Sequence, residues 1–267
     1  RLTGGEPLVR RDMADVIQRL GRKVESGELE ELTLTTNGSL LRKYADHLAS
    51  SNVRRINVSM DTLDPEDFTE ITRGGKVGQV LDGIEAAKGA GIDIKINMVA
   101  LRGFNEDALI PMAEYCSANG HDLTLIETMP LGDVGADRNL DHISAEEFIA
   151  PLQEQYCLDP ITYKSAGPAH YYEVKSLGLR LGLISPLSNS FCDGCNRLRL
   201  TTDGKIYMCL GHDAHVDLRN AVRRDGIAAV DNLLQQALKL KPLKHDFNAQ
   251  INGTTNILER HMNVTGG

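Results

Sequence analysis

Apolar residues recur along the first half of the chain with two alternating periods, one typical of helices and one typical of strands. A helical period over residues 12–24 places on one face Met13, Val16, Ile17, Leu20 and Val24. Further helices are predicted at about 40–50, 77–89 and 105–119. Strands are predicted at 32–38, 55–60, 92–99 and 123–128. This alternation of strand and helix predicts an α/β fold with a parallel sheet.

Within the predicted strands, apolar and polar side chains alternate. Asn57 and Ser59 alternate with apolar residues in one strand, and Lys95 and Asn97 do so in another. Successive side chains of a strand point to opposite faces, and a strand covered by helices on both faces would be apolar on both. The pattern therefore predicts an incomplete, widened barrel with helices outside and a polar cavity inside. An open sheet with one solvated face is the alternative.

The regular alternation of predicted strands and helices ends after Pro130. Residues 131–141 are rich in Gly and Asp and predict a loop, so we divide the chain into domains 1–135 and 136–267. A helix is predicted at 144–156, where Ser144 and Glu147 have the spacing of a capping box. Another helix is predicted at about 227–240. Short strands are predicted at 161–163, 171–174, 179–184, 197–202 and 205–209, the last two joined by a turn at Asp203-Gly204.

Composition narrows the class of protein. Hydrophobic residues make up 41% and charged residues 25% of the chain, as in a soluble globular protein, and the net charge of −8 disfavours a nucleic-acid partner. No apolar run approaches the length of a membrane span, and we expect no signal peptide. We therefore expect a cytoplasmic protein with no membrane partner. Because the chain begins at Arg1, in the middle of a motif, we also expect it to lack an N-terminal segment.

Three cysteines near the C-terminus, Cys192, Cys195 and Cys209, have the spacing of metal ligands. The chain has five cysteines, an odd number, and we expect no export signal, so metal binding is favoured over disulfides. One hypothesis is an iron–sulfur cluster with three thiolate ligands and one open coordination position. The other is a structural zinc site completed by His212 or His215. By contrast, Cys116 lies in a helical pattern and is predicted to be a buried apolar residue.

Basic residues indicate an anionic ligand. Arg197 and Arg199 are two positions apart on a predicted strand, so both guanidinium groups would point the same way and suit phosphate oxygens. A solvated strand face is the alternative. Lys95, on the polar side of its strand, is costly to bury without an anion. The alternative is a lysine that reaches solvent past the strand end.

A glycine-rich segment, Gly4-Gly5-Glu6-Pro7, follows the expected end of a strand. Two glycines let the backbone approach a ligand closely, and the Glu6 carboxylate can accept hydrogen bonds from an ammonium group. A plain strand-to-helix turn is the alternative. Ligand-binding residues of such folds lie at the strand ends, where this sequence has Thr35, Asn37 and Ser59.

Taken together, these motifs resemble the GTP 3′,8-cyclase family of radical S-adenosylmethionine (SAM) enzymes, which act in molybdenum cofactor biosynthesis. The resemblance runs from Arg1 to the C-terminus and rests on the segments at 4–7, 35–38, 55–59 and 191–199 and on the terminal Gly266-Gly267. It implies a partial (βα)6 TIM-like barrel, its first strand missing here, followed by a C-terminal iron–sulfur domain with a Gly-Gly tail that reaches into the cavity.

The resemblance also implies the chemistry and the site. One [4Fe–4S] cluster would cleave SAM to a radical that abstracts the ribose C3′ hydrogen of GTP, after which C3′ attacks guanine C8. A second cluster, which would bind the guanine base, is implied on Cys192, Cys195 and Cys209. Contacts with SAM are implied for Gly5, Ser59 and Met129. Contacts with GTP are implied for Arg1, Thr35, Lys95, Arg197, Leu198 and Arg199. An electron-donor protein and a possible homodimer would be the partners.

The sequence departs from the family at one point, since it contains no Cys-x3-Cys-x2-Cys run for the first cluster. The catalytic ligands of that cluster are therefore unknown in this chain. We expect the chain as it stands to release no 5′-deoxyadenosine from SAM after reconstitution and reduction, and to expose a sheet edge prone to aggregation. Two other functions stay open, a zinc-stabilised binding module and another radical SAM enzyme with an auxiliary cluster.

Overall fold

The computed structural model describes residues 1–129, 131, 142–165, 167–189, 192, 195–245, 247 and 260–266. The helices in these residues are α1 (Met13–Glu25), α2 (Leu41–Ser50), α3 (Pro65–Thr72), α4 (Val77–Gly89), α5 (Leu109–Asn119), α6 (Ala145–Gln155), α7 (Leu218–Asp225), α8 (Ala229–Lys239) and α9 (Met262–Thr265). The strands are β1 (Leu32–Thr36), β2 (Val53–Ser59), β3 (Asp93–Val99), β4 (Asp122–Ile126), β5 (Leu158–Ile161), β6 (His170–Val174), β7 (Leu179–Ile184), β8 (Arg199–Leu200), β9 (Lys205–Tyr207) and β10 (His215–Asp217).

The first seven strands form one sheet in the order β1-β2-β3-β4-β7-β6-β5. Strands β1 to β4 and β7 are parallel, whereas β6 and β5 pair antiparallel at one edge. Parallel strands that follow one another along the chain are neighbours in the sheet, and helices lie between them in sequence, as in a series of βαβ units. This confirms the predicted α/β fold with a parallel sheet. Among the described residues the sheet stays open and does not close into a barrel.

The polar face of the sheet is largely buried. Thr33, Asn57, Lys95 and Thr124 are each exposed by 5% or less of their surface. The alternative of an open sheet with a solvated face is therefore wrong at these positions. Ser59, which lies at the C-terminal end of β2, is exposed.

Local sequence signals set several helix ends. Asp64 caps α3 by accepting hydrogen bonds from the backbone N–H groups of Glu66 and Asp67. Ser144 caps α6 through the N–H of Glu147, as predicted. The α5 helix ends at Gly120 in a left-handed conformation (φ 68°), which favours glycine.

The β8–β10 strands form a small antiparallel sheet in the order β10-β9-β8. The predicted turn at Asp203-Gly204 is confirmed, because Gly204 has φ 80° and Thr201 pairs with Lys205 across it. However, β8 is shorter than the predicted strand at 197–202. Its pairing stops at Arg199, since the partner strand β9 ends at the facing residue Tyr207. The expectation that Arg197 and Arg199 share one strand is therefore wrong.

The chain forms two compact units. The first comprises residues 1–128 and 141–185, and the second residues 129–140 and 186–267. This differs from the predicted domains 1–135 and 136–267, because β5, β6 and β7 join the sheet of the first unit through the pairing of β7 with β4. The loop predicted at 131–141 lies almost entirely outside the described residues. In the part of the chain that is described, no helix is both long and apolar enough to cross a bilayer.

Candidate functional site

The Gly-Gly-Glu-Pro segment is attached to the end of β1 by the carboxylate of Glu6. Its Oε1 accepts hydrogen bonds from Leu8 N (3.0 Å) and Thr36 Oγ1 (2.9 Å), and its Oε2 accepts one from Asn37 N (2.6 Å). Just before this segment, Leu2 forms a parallel bridge to Leu34 of β1, as expected for the end of a strand. The Glu6 carboxylate thus holds the glycine-rich loop beside the C-terminal end of the sheet.

The two glycines of this loop differ in their surroundings. Gly4 has φ 132°, a backbone conformation that side-chain-bearing residues rarely adopt. Gly5 is exposed, and a Cβ atom added there would have no neighbour within 4 Å. The backbone of Gly5 is therefore open to approach by a ligand.

Two side chains predicted to bind substrate, Thr35 and Lys95, lie on the strands on either side of Asn57. In the register of the sheet, Thr35 of β1 faces Asn57 of β2, and Asn57 faces Lys95 of β3. The Asn57 amide donates a hydrogen bond to Thr35 Oγ1 (3.3 Å), while its Oδ1 is buried without a hydrogen-bond partner. Thr124 Oγ1 on β4 is likewise buried without a partner. Buried polar atoms in this state are exceptional and mark this part of the sheet as a place for further polar contacts.

Lys95 is a buried cation. It is 5% exposed, so the alternative that its side chain reaches solvent is wrong. Its Nζ donates a hydrogen bond to the Tyr171 hydroxyl (2.7 Å) and lies 4.8 Å from the centroid of that ring. Among the described residues, no carboxylate lies within salt-bridge distance (4.0 Å) of this ammonium group.

In the second unit, the Cys195 thiol lies beside donor groups. Lys241 Nζ is 3.7 Å from Cys195 Sγ and donates hydrogen bonds to the carbonyl oxygens of Met208 (2.7 Å) and Arg197 (2.9 Å). Burial alone would raise the pKa of the Cys195 thiol, but hydrogen bonds and positive charge from Arg197, together with Lys241, lower it below its ordinary value. The surroundings of Cys195 thus favour a thiolate, the form that binds metals.

The other two predicted ligands lie in different surroundings. Burial raises the pKa of the Cys209 thiol, and the neighbouring Cys192 adds to this effect. Among the described residues, no group of three or more His, Cys, Asp or Glu side chains is gathered closely enough to hold a metal ion. The structure therefore places Cys192 near Cys209, but it does not gather the three predicted ligands into one metal site.

Both arginines of the cysteine segment are partly buried. Burial and the charge of Arg197 lower the pKa of Arg199 to about 10. Leu198, between them, packs against the small apolar core of the second unit. Two like charges held close together and partly out of water favour binding of an anion.

The remaining predicted residues lie as follows. The ring nitrogens of His212 and His215 are engaged with the carbonyl oxygens of Lys244 (2.9 Å) and Asp213 (2.8 Å). Met129 is partly buried and its carbonyl accepts a hydrogen bond from Leu131 N (2.9 Å). Arg1 is exposed, and Cys116 is buried as predicted. Gly266 is buried, whereas Phe191 and Gly267 lie outside the described residues.

Sequence reasoning missed Tyr171, Ser165 and Lys241. Tyr171 was predicted to lie in a strand, which is β6, but nothing in the pattern indicates that its hydroxyl reaches Lys95. Lys241 follows α8 in a lysine-rich stretch that resembles a solvated helix end. Tyr171 reaches Lys95 because β6 pairs antiparallel with β7. Lys241 reaches Cys195 because of the path that the chain takes after α8.

The chain matches two family models, "Radical SAM superfamily" over residues 1–116 and "Molybdenum Cofactor Synthesis C" over residues 121–247. Relatives named GTP 3′,8-cyclase include proteins of Rhizobium meliloti (48% identical) and Agrobacterium fabrum (47% identical), each aligned over 100% of this chain and 77% of the relative. A crystal structure of Streptococcus suis SuiB bound to S-adenosylmethionine is 22% identical, with a TM-score of 0.39, over 46% of this chain and 28% of that protein. On the identity to these full-chain relatives, the chain belongs to the GTP 3′,8-cyclase family of radical SAM proteins.

Proposed function

We propose that this chain acts on GTP as a radical SAM 3′,8-cyclase, forming (8S)-3′,8-cyclo-7,8-dihydroguanosine 5′-triphosphate in the first step of molybdopterin biosynthesis. Its relatives carry the name of this activity over the full length of the chain. The structural observation that carries the proposal is the buried ammonium group of Lys95. It donates a hydrogen bond to a hydroxyl, and no carboxylate of the described residues lies within salt-bridge distance of it.

A buried lysine charge is expensive unless an anion compensates it. Removing an ammonium group from water costs several kcal/mol, roughly, and a neutral hydroxyl returns only part of that free energy. A triphosphate would supply the missing negative charge. In the first unit we therefore assign Lys95 to the phosphates of GTP, with Thr35 and Arg1 as further contacts.

In the second unit we assign Arg197, Leu198 and Arg199 to GTP. The lowered pKa of Arg199 reflects burial and the adjacent charge of Arg197, and both costs would diminish when an anion binds. Leu198 packs on the local apolar core, which fixes the backbone between the two arginines.

For SAM, we assign Gly5, Ser59 and Met129. The open space at Gly5 and the exposed position of Ser59 at the end of β2 support the first two assignments. Ligands of parallel α/β folds bind at the C-terminal ends of the strands, where both residues lie. The assignment of Met129 rests on the family resemblance.

We assign Cys192, Cys195 and Cys209 as ligands of a [4Fe–4S] cluster. The support is the spacing of the cysteines and the chemistry of Cys195, whose thiolate is favoured by neighbouring N–H groups and by Lys241. When bound, such a cluster would supply an iron with a free coordination position for the guanine base. The electron-donor protein, the homodimer, the cytoplasmic location and the ligands of a first cluster stay predictions of the resemblance.

The assignment of Lys95 is tested by titration calorimetry with GTP and with guanosine, which lacks the phosphates. Lys95→Met should weaken GTP binding about tenfold or more, because a buried charge–phosphate contact is lost, and should leave guanosine binding unchanged. The matched control is Lys43→Met on the exposed surface of α2. Equal GTP affinity in Lys95→Met and the parent chain would contradict the assignment.

The metal assignment is tested by measuring iron, sulfide and zinc per chain after anaerobic reconstitution. A brown protein with iron and sulfide supports the cluster, and its loss in Cys209→Ser would identify that ligand. A colourless chain with one zinc would instead support the zinc-stabilised module.

A further inference from the structure

The ammonium group of Lys95 is the first member of a chain of hydrogen bonds within the first unit. Lys95 Nζ lies 2.7 Å from Tyr171 Oη, and Tyr171 Oη lies 2.7 Å from Ser165 Oγ. Ser165 Oγ also accepts a hydrogen bond from Gly167 N (3.2 Å). An ammonium group has only donors, so the Tyr171 oxygen accepts the hydrogen bond from Lys95. The Tyr171 hydroxyl is then free to donate to Ser165 Oγ, which lies within hydrogen-bond distance.

The Tyr171 ring reaches Lys95 because a glycine lies beneath it. Tyr171 of β6 faces Gly182 of β7 in the sheet, and Gly182 faces Thr124 of β4. A Cβ atom at Gly182 would lie 3.1 Å from Tyr171 Cε1 and 3.0 Å from Thr124 Oγ1. The missing side chain therefore leaves room for the tyrosine ring on the polar face of the sheet.

A second cation, Arg180, lies beside the neighbouring ring of Tyr163 and has the ion-pair partner that Lys95 lacks. Tyr163 meets Tyr171 edge to face (4.8 Å between centroids), and the Arg180 guanidinium lies 4.1 Å from the Tyr163 centroid. Arg180 is neutralised by Asp122, with 3.0 Å between Nε and Oδ1. Lys95 has a tyrosine but no such carboxylate among the described side chains. Arg180, next to Tyr163, is thus neutralised by Asp122. Lys95, next to Tyr171, keeps a charge that can attract an anionic ligand.

We propose that Tyr171 is a positioning residue that holds the Lys95 ammonium group in place for the phosphates of GTP. This rests on the proposed function, in which Lys95 contacts the triphosphate. A lysine side chain has four rotatable bonds, and holding it in place before the ligand arrives lowers the entropy lost on binding. The hydroxyl supplies this restraint without a negative charge, so the ammonium group keeps its attraction for an anion.

The test is titration calorimetry of the full chain with GTP and guanosine, using Tyr171→Phe, Ser165→Ala, Lys95→Met and the double variant Lys95→Met/Tyr171→Phe. Tyr171→Phe keeps the ring and removes only the hydroxyl. We expect it to weaken GTP binding about two- to tenfold, the range for losing the order of one long side chain, and to leave guanosine binding unchanged. Ser165→Ala should act in the same direction, and decides alone if Tyr171→Phe fails to fold.

The double variant separates positioning from general support of the fold. In the Lys95→Met background, Tyr171→Phe should have no further effect on GTP binding, since the group that it positions is gone. The same loss in both backgrounds, or unchanged or tighter GTP binding by Tyr171→Phe alone, would overturn the role of Tyr171 and leave that of Lys95 intact. Unchanged GTP binding by Lys95→Met would overturn both. Tyr172→Phe, one residue along β6, is the matched control and should bind GTP normally.

Discussion

The carboxyl group of Asp61, just beyond the end of β2, predicts a measurable dependence of stability on pH. Its Oδ1 accepts a hydrogen bond from Val99 N (2.7 Å), and the side-chain amide of Asn105 binds the Asp61 carbonyl (3.0 Å). Burial raises the pKa of Asp61 from 3.8 to about 6, and the hydrogen bond from Val99 only partly opposes this shift. At a pH between 3.8 and about 6, Asp61 is therefore mostly protonated in the folded chain and mostly ionised in the unfolded chain.

The sign and size of the effect follow from these two pKa values. Because the folded form binds the proton more tightly, this group's contribution to stability is largest below the unfolded pKa and is lost as the pH rises to about 6. Raising a pKa by about 2 corresponds to about 3 kcal/mol of stability. This is an upper value for Asp61, because part of the residue is exposed to solvent. Between about pH 4.5 and about pH 7.5 the loss amounts to about 2 kcal/mol.

Asp61→Asn removes the titration but keeps an oxygen that can accept from Val99. The free energy of unfolding, measured in urea across this pH range, should fall by about 2 kcal/mol more in the parent chain than in the variant as the pH rises. Asp82→Asn, on the exposed face of α4, is the control and should follow the parent chain. Parallel pH profiles for the parent chain and Asp61→Asn would refute the reasoning.

Three further predictions concern packing and the cysteine segment. Gly21→Ala should lower the free energy of unfolding in urea by about 3 kcal/mol or more, because the new Cβ would lie 2.1 Å from Ser51 O. In the same assay the control Gly89→Ala should be neutral or stabilising, because its Cβ would have no neighbour within 4 Å. Gly182→Ala should cost about 1–2 kcal/mol and displace the Tyr171 ring, which the near-ultraviolet circular dichroism would report. Lys241→Met should lower the iron bound per chain after reconstitution, since the carbonyl oxygens of Arg197 and Met208 lose a shared donor, whereas the exposed Lys239→Met should bind iron like the parent chain.

The sequence by itself determined the elements of the first unit, because their signals are local. The hydrophobic period and the N-cap at Ser144 depend on residues a few positions apart, and both are confirmed in the structure. The turn at Gly204 in the second unit is equally local and is also confirmed. The family was also readable from short motifs, since the glycine-rich segment and the cysteine segment are contiguous in the chain.

Only the tertiary structure determined which polar side chains of the strands are buried and which residues they contact. Alternation predicted that Lys95 and Asn57 share a face, but their burial depends on elements distant in the chain. Tyr171 reaches Lys95 from 76 residues away, across a gap that Gly182 leaves open. The length of β8 was likewise set by its partner β9. The pairing of distant segments determines where a strand ends, which side chains are buried and what they contact. A local sequence pattern does not indicate which distant segment will pair with it.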